Sequence, residues 1–535
     1  MPVLAQFARH QRAVVIVNAA VLAAAVLSVG QVRYAQRDHD TAGPGRVGFD
    51  VEPGSSARPG APTPSTSPSP GTTTATPGPG TSTRPHTPTT VPSSLPTASH
   101  GRPPAPPVSK VPDYGLRTQG VTATSVTIGA DYDKTGCGGS GSLTAQFSSA
   151  VTGDQQKSFD TFVRYINDTG GIRGRTLKLV TVDDGGLYCP ERHQSAAIQL
   201  ADQYKVFLDI ACLHEVSDLL APKHLPFYGG RATKAEQRKQ GMGQFQLYQD
   251  ADGDFLNWAA FGKNYLHSDK HAPCFIHPDT DDFNHLEGLV VKALKGQGLA
   301  FKDIVRYADD PSTAQQQATT YAIEMKQKGC QQVWLLANNF IADVFFTNAA
   351  RQQNWYPTWT WTARTGGIDF KLAGSLMNQD EWKNAVGLTT RIAPGESPYE
   401  NNCARIYNRY HSGDGQDTSA AVQVACNSIL TVSEAMRRAI DRTGVLTGNS
   451  LMVGVDTIRG DFSWDAFVPL TYTILDASRR DFTGYDLQTV AKWDTNKGDY
   501  VFPEYPRYWK VLGPGGRGAI DIRPLLRAKY SAPKR

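Results

Sequence analysis

Apolar and polar positions along this chain alternate between two periods. The run S-V-T-I-G-A (125–130) is short and β-branched, whereas from Asp154 to Asp168 the apolar residues Phe159, Phe162, Val163 and Ile166 stand at i, i+3, i+4 and i+7. The first pattern predicts a strand and the second a helix with one buried stripe. The alternation continues with a strand over 176–182, a helix over 192–204, a strand over 206–211, a helix over 215–223 and the strand L-P-F-Y-G-G (225–230). It then starts again: helices are predicted over 254–266, 286–298, 313–329 and 342–355, with strands over 273–279, 303–308, 331–337 and 358–363. The stretch from Thr389 to Leu446 reads as helical, with a long amphipathic helix over 419–443, and Y-P-R-Y-W-K-V-L-G (505–513) reads as a final strand. Strands and helices joined this way imply an α/β fold of parallel sheets flanked by helices.

The N-terminal part has a different character. Residues 1–12 are basic, with Arg9, His10 and Arg12, and an apolar run extends from Ala13 to Val32. It reads either as an uncleaved signal anchor or as a cleaved signal peptide, and both place the rest of the chain outside the cytoplasm. Residues 33–112 read as a disordered linker, and its 53–112 portion holds 17 of the 34 prolines and 22 Ser or Thr. Such a composition buries too little surface to offset chain entropy and suits an extended stalk. Of the formal charge of +4, residues 1–112 carry +5, so the remainder carries 4 − 5 = −1. A near-neutral folded part gives no electrostatic footprint for nucleic acid.

The stretch I-N-D-T-G-G-I-R-G-R-T-L-K-L-V-T-V-D-D-G-G (166–186) poses a question, because glycine-rich loops beside Arg often cradle phosphate. Such a loop follows a strand and opens a helix. Here the order is reversed, so Gly170 is expected as a left-handed helix cap, Gly174 as a turn, and Arg173 and Arg175 as solvated loop charges. The same stretch, with Y-K-V-F-L-D-I-A, L-P-F-Y-G-G, F-I-H-P-D-T-D-D-F, M-K-Q-K-G-C-Q-Q-V-W-L-L-A-N-N, A-V-G-L-T-T-R and A-M-R-R-A-I-D-R-T-G, resembles the leucine/isoleucine/valine-binding group of type I periplasmic binding proteins across residues 121–512. The resemblance implies a two-lobed clamshell with three crossings. Lobe one would comprise 113–248 and 389–488, and lobe two 249–388 with a closing strand and tail in 489–535. Ligand would sit between the lobes, at the carboxyl ends of the strands, where the crevice rule for open α/β sheets also puts it.

Those strand ends supply the candidate ligand-binding residues. After the first strand come Asp131, Tyr132 and Asp133; after the third, His214, Glu215 and Ser217; after the fourth, Arg231. Members of the resembled group carry small and hydroxyl residues where His214 and Glu215 stand, which argues against an ordinary amino-acid ligand. In the second block, Asp279 and Asp281 belong to a group with His277, Asp282 and His285 whose spacing matches neither a calcium loop nor a zinc pair, so they read as cleft-lining polars or as a capped helix start. Asn338 and Asn339 end another strand, and Arg364 follows T-W-T-W-T-A, whose Trp359 and Trp361 read as core. No metal or cofactor is expected. Seven cysteines in an exported chain suggest disulfides. Cys189 with Cys212, Cys274 with Cys330 and Cys403 with Cys426 are the expected pairs, the first also implied by the resemblance, with Cys137 as an alternative partner in it.

No nucleophile or metal-hydrolase motif sits at a strand-to-helix turn, so binding without catalysis is expected. Two functions remain open: capture of a small polar or amino-acid-like ligand for an ABC permease, and a membrane-anchored sensory ectodomain acting through a membrane partner.

Overall fold

The computed structural model describes residues 111–132, 134, 153–186, 189–211, 214–230, 232–308, 313–337, 340–365, 367–478, 480–485, 487–510 and 519–527. The apolar run 13–32 and all but the last two residues of the linker lie outside them. Two parallel sheets dominate. In the first, β1 (Ser125–Tyr132), β2 (Thr176–Asp183), β3 (Leu208–Ala211), β4 (Phe227–Tyr228) and β5 (Gln244–Phe245) lie in the order β2-β1-β3-β4-β5. In the second, β6 (Pro273–Pro278), β7 (Asp303–Tyr307), β8 (Gln332–Leu335) and β9 (Thr358–Trp361) lie in the order β7-β6-β8-β9. Each order reverses beside its first strand, so each sheet has a topological switch point, between β1 and β3 and between β6 and β8.

Eight helices carry the rest of the argument: α1 (Gln155–Asp168), α2 (His214–Leu220), α3 (Lys234–Gln240), α4 (Ala251–Asn264), α5 (Asp281–Gly296), α6 (Ile341–Gln352), α7 (Ala420–Thr443) and α8 (Gly448–Asp456). The stripe of α1, Phe159, Phe162, Val163 and Ile166, packs with Val126 and Ile128 of β1 and with Val422, Ile429, Val432 and Met436 of α7 in one core cluster. Asp154 caps α1 by accepting from the Lys157 amide at 2.9 Å. Lobe two has cores on both faces of its sheet, built around Trp258 and Trp334 on one side and Trp359, Trp361 and Trp382 on the other.

The chain passes between these bodies near residues 246–250, 389–391 and 483–488, the three expected crossings, and turns back to lobe one once more after Val501. The first and third passages are joined directly: the Gln246 amide donates to the Phe482 carbonyl, and the Tyr485 amide to that of Leu247, both at 2.8 Å. A small antiparallel sheet, β10 (Val386–Thr389), β11 (Thr489–Asp494) and β12 (Asp499–Val501), departs from the all-parallel expectation. Its Trp493 and Tyr500 enter the lobe-two core. The closing pair β13 (Arg507–Trp509) and β14 (Ala519–Asp521) turns the other way, with Tyr508 and Ile522 in the lobe-one core. The segment after residue 488, expected to close lobe two, therefore serves both lobes.

The glycine stretch is a helix stop. The Gly171 amide donates to the Ile166 carbonyl at 2.9 Å and the Gly170 amide to that of Asn167 at 3.2 Å, the paired bonds of a Schellman cap. Gly170 and Gly171 take φ of +99° and +64°. Arg173 and Arg175 keep contact with solvent, as expected of loop charges, but both are also partnered. Arg173 forms a two-pronged pair with Asp441 of α7, and the Arg175 Nε donates to the Thr122 carbonyl at 3.1 Å. Buried Arg437, one helical turn before Asp441, gives two hydrogen bonds to the Gly171 carbonyl, at 3.2 and 3.1 Å.

Cys274 is bridged to Cys330 and Cys403 to Cys426. Cys189 is also disulfide-bonded, while Cys137 and Cys212 lie outside the described residues.

This geometry sets two stability outcomes. Gly170→Ala should cost about 1–2 kcal/mol for its left-handed backbone alone. Gly171→Ala should cost clearly more, because its Cβ would meet the Arg175 carbonyl oxygen at 2.2 Å. Urea denaturation would show the ranking, and equal losses would contradict it. Removing the Cys274–Cys330 bridge, which closes a 56-residue separation, should cost about 4 kcal/mol, against about 3 kcal/mol for the 23-residue separation of Cys403–Cys426.

Candidate functional site

Strand direction decides which loops can meet a solute. In a parallel sheet all carboxyl ends fall on one edge, and at a switch point the loops on either side diverge and leave a crevice. In lobe one the strands end at Tyr132 and Ala211; in lobe two they end at Pro278 and Leu335. The two edges approach each other. The His214 Nε2, on the first residue of α2, is 2.6 Å from the Asp282 Oδ2 in the first turn of α5. The same nitrogen lies 3.3 Å from the Glu215 Oε1. One turn further along α5, the His285 Nε2 stands 3.9 Å from the Glu236 Oε1 of α3. Two imidazole–carboxylate pairs, His214–Asp282 and His285–Glu236, thus cross the seam between lobes, while Glu215 adds a carboxylate on the lobe-one side.

On the lobe-two side, Thr280 caps α5 by accepting from the Phe283 amide at 3.4 Å. Asp281 and Asp282 then occupy the first turn, where carboxylates complement the helix dipole. Asp279 accepts from the Asn284 side chain at 3.0 Å, and Asp279 and Asp281 are both exposed at the mouth. His277, grouped with them by sequence, is turned away. It is fully buried, and its Nε2 lies 2.8 Å from the Glu287 Oε2. A groove of about 790 Å³ runs beside this seam, lined by Asp218, His224, Phe227, Lys239 and Met242, with Asp281 and Asp282 at one end. Sequence reading missed this groove, because α3 is short and polar and carries no apolar stripe to announce it.

Several expected site residues are corrected by burial. Asp131 and Ser217 are both 0 % exposed, so neither presents an atom to the crevice. Ser217 Oγ donates to the His214 carbonyl at 2.8 Å and accepts from the Gln240 amide group at 3.0 Å. The Tyr132 hydroxyl is engaged by Gln156 Oε1 at 2.7 Å, and its ring stacks near Phe159. Arg364 is drawn to the first crossing, where its Nη1 donates to the Gln249 carbonyl at 2.7 Å. Burial lowers the pKa of its guanidinium, and the neighbouring carboxylates of Asp254 and Asp250 oppose that shift. The bond to Gln249 ties it to the first passage between the lobes. Trp359 and Trp361 are core, as their shared strand face suggests. Asp133, Arg231, Asn338 and Asn339 lie outside the described residues.

Asp131 belongs to a different feature, a group of three fully buried carboxylates with Asp184 and Asp209. Burial, and then the charges of Asp209 and Asp184, push the Asp131 carboxyl well above the usual range. Burial likewise raises Asp209 to about 7. A carboxyl whose folded pKa exceeds its unfolded value holds more protons when folded, so it adds stability at low pH that is lost as pH rises towards 7. Asp209→Asn needs no proton. Its melting midpoint should lie near that of the wild type at pH 4.5 and above it at pH 8, a difference that thermal melts at both pH values would read directly.

With the geometry in hand, comparison with known proteins becomes informative. A family model described as periplasmic binding protein matches residues 136–477. Among solved structures, a branched-chain amino-acid ABC transporter protein from Thermus thermophilus with bound valine superposes with a TM-score of 0.57 at 13% identity, covering 72% of this chain and 96% of that one. A leucine-binding protein from Thermotoga maritima gives 0.53 at 13% identity, covering 70% and 97%. The branched-chain amino-acid transporter substrate-binding protein from Streptococcus pneumoniae, in complex with isoleucine, gives 0.52 at 15% identity, covering 71% and 100%. No curated protein matches in sequence. At such identities the structures speak for the shared fold, with its twin parallel sheets and opposed strand ends, while the family model spans more than half of the sequence. By that match this chain belongs to the periplasmic binding protein family.

Proposed function

We propose that the protein is a solute-binding protein that captures a small polar, amino-acid-like ligand between its lobes and presents it to an ABC-type importer, without catalysis. Family membership implies an extracytoplasmic location, and the apolar run 13–32 followed by the proline-rich linker suits a chain held at the membrane by one N-terminal helix. Among the described residues, no helix is long and apolar enough to cross a membrane. The observation that carries the reading is the approach of the two strand-end edges at their switch points, marked by His214 and Asp282. A solute there touches both lobes and so favours the state in which they meet.

The side chains at this mouth bear on ligand class. Glu215, Asp279, Asp281 and Asp282 line the approach, and Arg364 is committed to the hinge. Carboxylates in such number complement an ammonium group better than an anion. The expected solute therefore carries an amino group and presents it to lobe two.

Thermal melts of the full chain against amino acids, polyamines, short peptides and sugars would test this. An amine-bearing solute at 100 times its Kd should add about 2.7 kcal/mol of stability. Asp281→Asn should weaken that solute about tenfold, with the unliganded melting midpoint little changed. A flat response across the whole panel at millimolar concentration would sink the transport reading.

A further inference from the structure

The pairing of His214 with Asp282 is one edge of a triangle. One ligand atom from each of His214, Glu215 and Asp282 lies within 4.8 Å of the other two, and all three residues are partly shielded from solvent. Zinc binds imidazole nitrogen and carboxylate oxygen at about 2.0–2.2 Å, and in a tetrahedral shell such atoms sit about 3.3 Å apart. The His214–Glu215 separation of 3.3 Å already has that value. The 2.6 Å between His214 and Asp282 would open by less than about 1 Å to admit an ion. The second oxygen of the same carboxylate, Glu215 Oε2, is screened from solvent and has no hydrogen-bond partner, while the side chain as a whole is 29% exposed. An acceptor in that state is costly, and a cation held by both oxygens of the carboxylate would satisfy it.

We infer that His214, Glu215 and Asp282 form a binding site for a zinc-class divalent cation shared between the two lobes. His214 and Glu215 are contributed by α2, the helix after β3, and Asp282 by α5, the helix after β6, so the site exists only when the switch points face each other. Three protein ligands leave a fourth position for water or for a donor atom of a solute. Imidazole with two carboxylates suits zinc and its transition-metal neighbours better than magnesium or calcium, which prefer larger all-oxygen shells. The inference goes beyond solute capture, since the metal alone is its ligand.

The test is calorimetric titration of the untagged full chain, freed of metal by chelator and with no organic solute present, using zinc chloride and, separately, magnesium and calcium chloride. One equivalent of zinc should bind, with a raised melting midpoint, while magnesium and calcium at the same concentration leave both unmoved. His214→Ala and Asp282→Asn should each weaken zinc at least tenfold, and melts without metal would show that the variants fold. Should His214→Ala fail to fold, Asp282→Asn and the visible absorption of the cobalt-substituted chain decide the matter. Absence of zinc binding by the wild type would overturn the inference, as would affinity unchanged in Asp282→Asn, which would remove lobe two from the site. A solute that shifts the melt while zinc does not would leave the transport reading standing and discard this one.

Discussion

A chain that passes repeatedly between two bodies must build at least one of them from segments far apart in sequence, and here α7 provides the tie. Sixteen of its 24 residues are buried, and they pack on α1, β1 and α8. At its far end Arg437 donates twice to the Gly171 carbonyl, while Asp441 holds Arg173. The cap that stops α1 is thereby fastened to a helix some 270 residues later. The position of β1, and with it that of the loop ahead of α2, depends on this fastening. Hydrogen bonds to a charged donor contribute about 1.5–3 kcal/mol each, enough to make the tie a large part of a typical margin of stability.

Much of the fold was legible because parallel strands covered on both faces read as short apolar runs between amphipathic helices. Ser125–Tyr132, Thr176–Asp183 and Pro273–Pro278 all fall where the pattern put them. What stayed hidden depends on distant partners. Val386–Thr389 becomes a strand by pairing with Thr489–Asp494, about a hundred residues away, and the alternation in T-V-A-K-W-D is too brief to announce that. No helix was expected over α8, where Gly448 and Gly454 are poor helix formers. Gly454 instead permits close packing of α8 on α7, since a Cβ there would stand 2.1 Å from the Ala435 carbonyl oxygen.

The site was legible at the level of loops and less so at the level of side chains. Strand direction alone assigns the loops after β1, β3 and β6 to the crevice. Which residue within a loop faces outward depends on where the element ends. Asp131 still belongs to β1, whose pairing with β2 and β3 runs through that residue, and it is carried into the interior. Ser217 lies far enough into α2 to bond back to His214. Arg364 could not be placed from sequence, because the carbonyl that claims it, Gln249, lies 115 residues earlier in the chain.

The passages between lobes are lined by side-chain amides: Asn257 Nδ2 donates to Gln488 Oε1 at 3.1 Å, and Gln488 in turn engages Asp254. By contrast, the seam opposite the hinge is held by partly exposed imidazole–carboxylate contacts, with side-chain exposures of 24% and 42% for His214 and Asp282. A half-solvated pair of that kind contributes at most about 1 kcal/mol, a factor of about five between the apposed and separated arrangements. Taken alone, this pair gives the apposed arrangement only a slight advantage. A solute that touches both edges would therefore supply most of the bias toward the apposed arrangement, and that bias would leave with it.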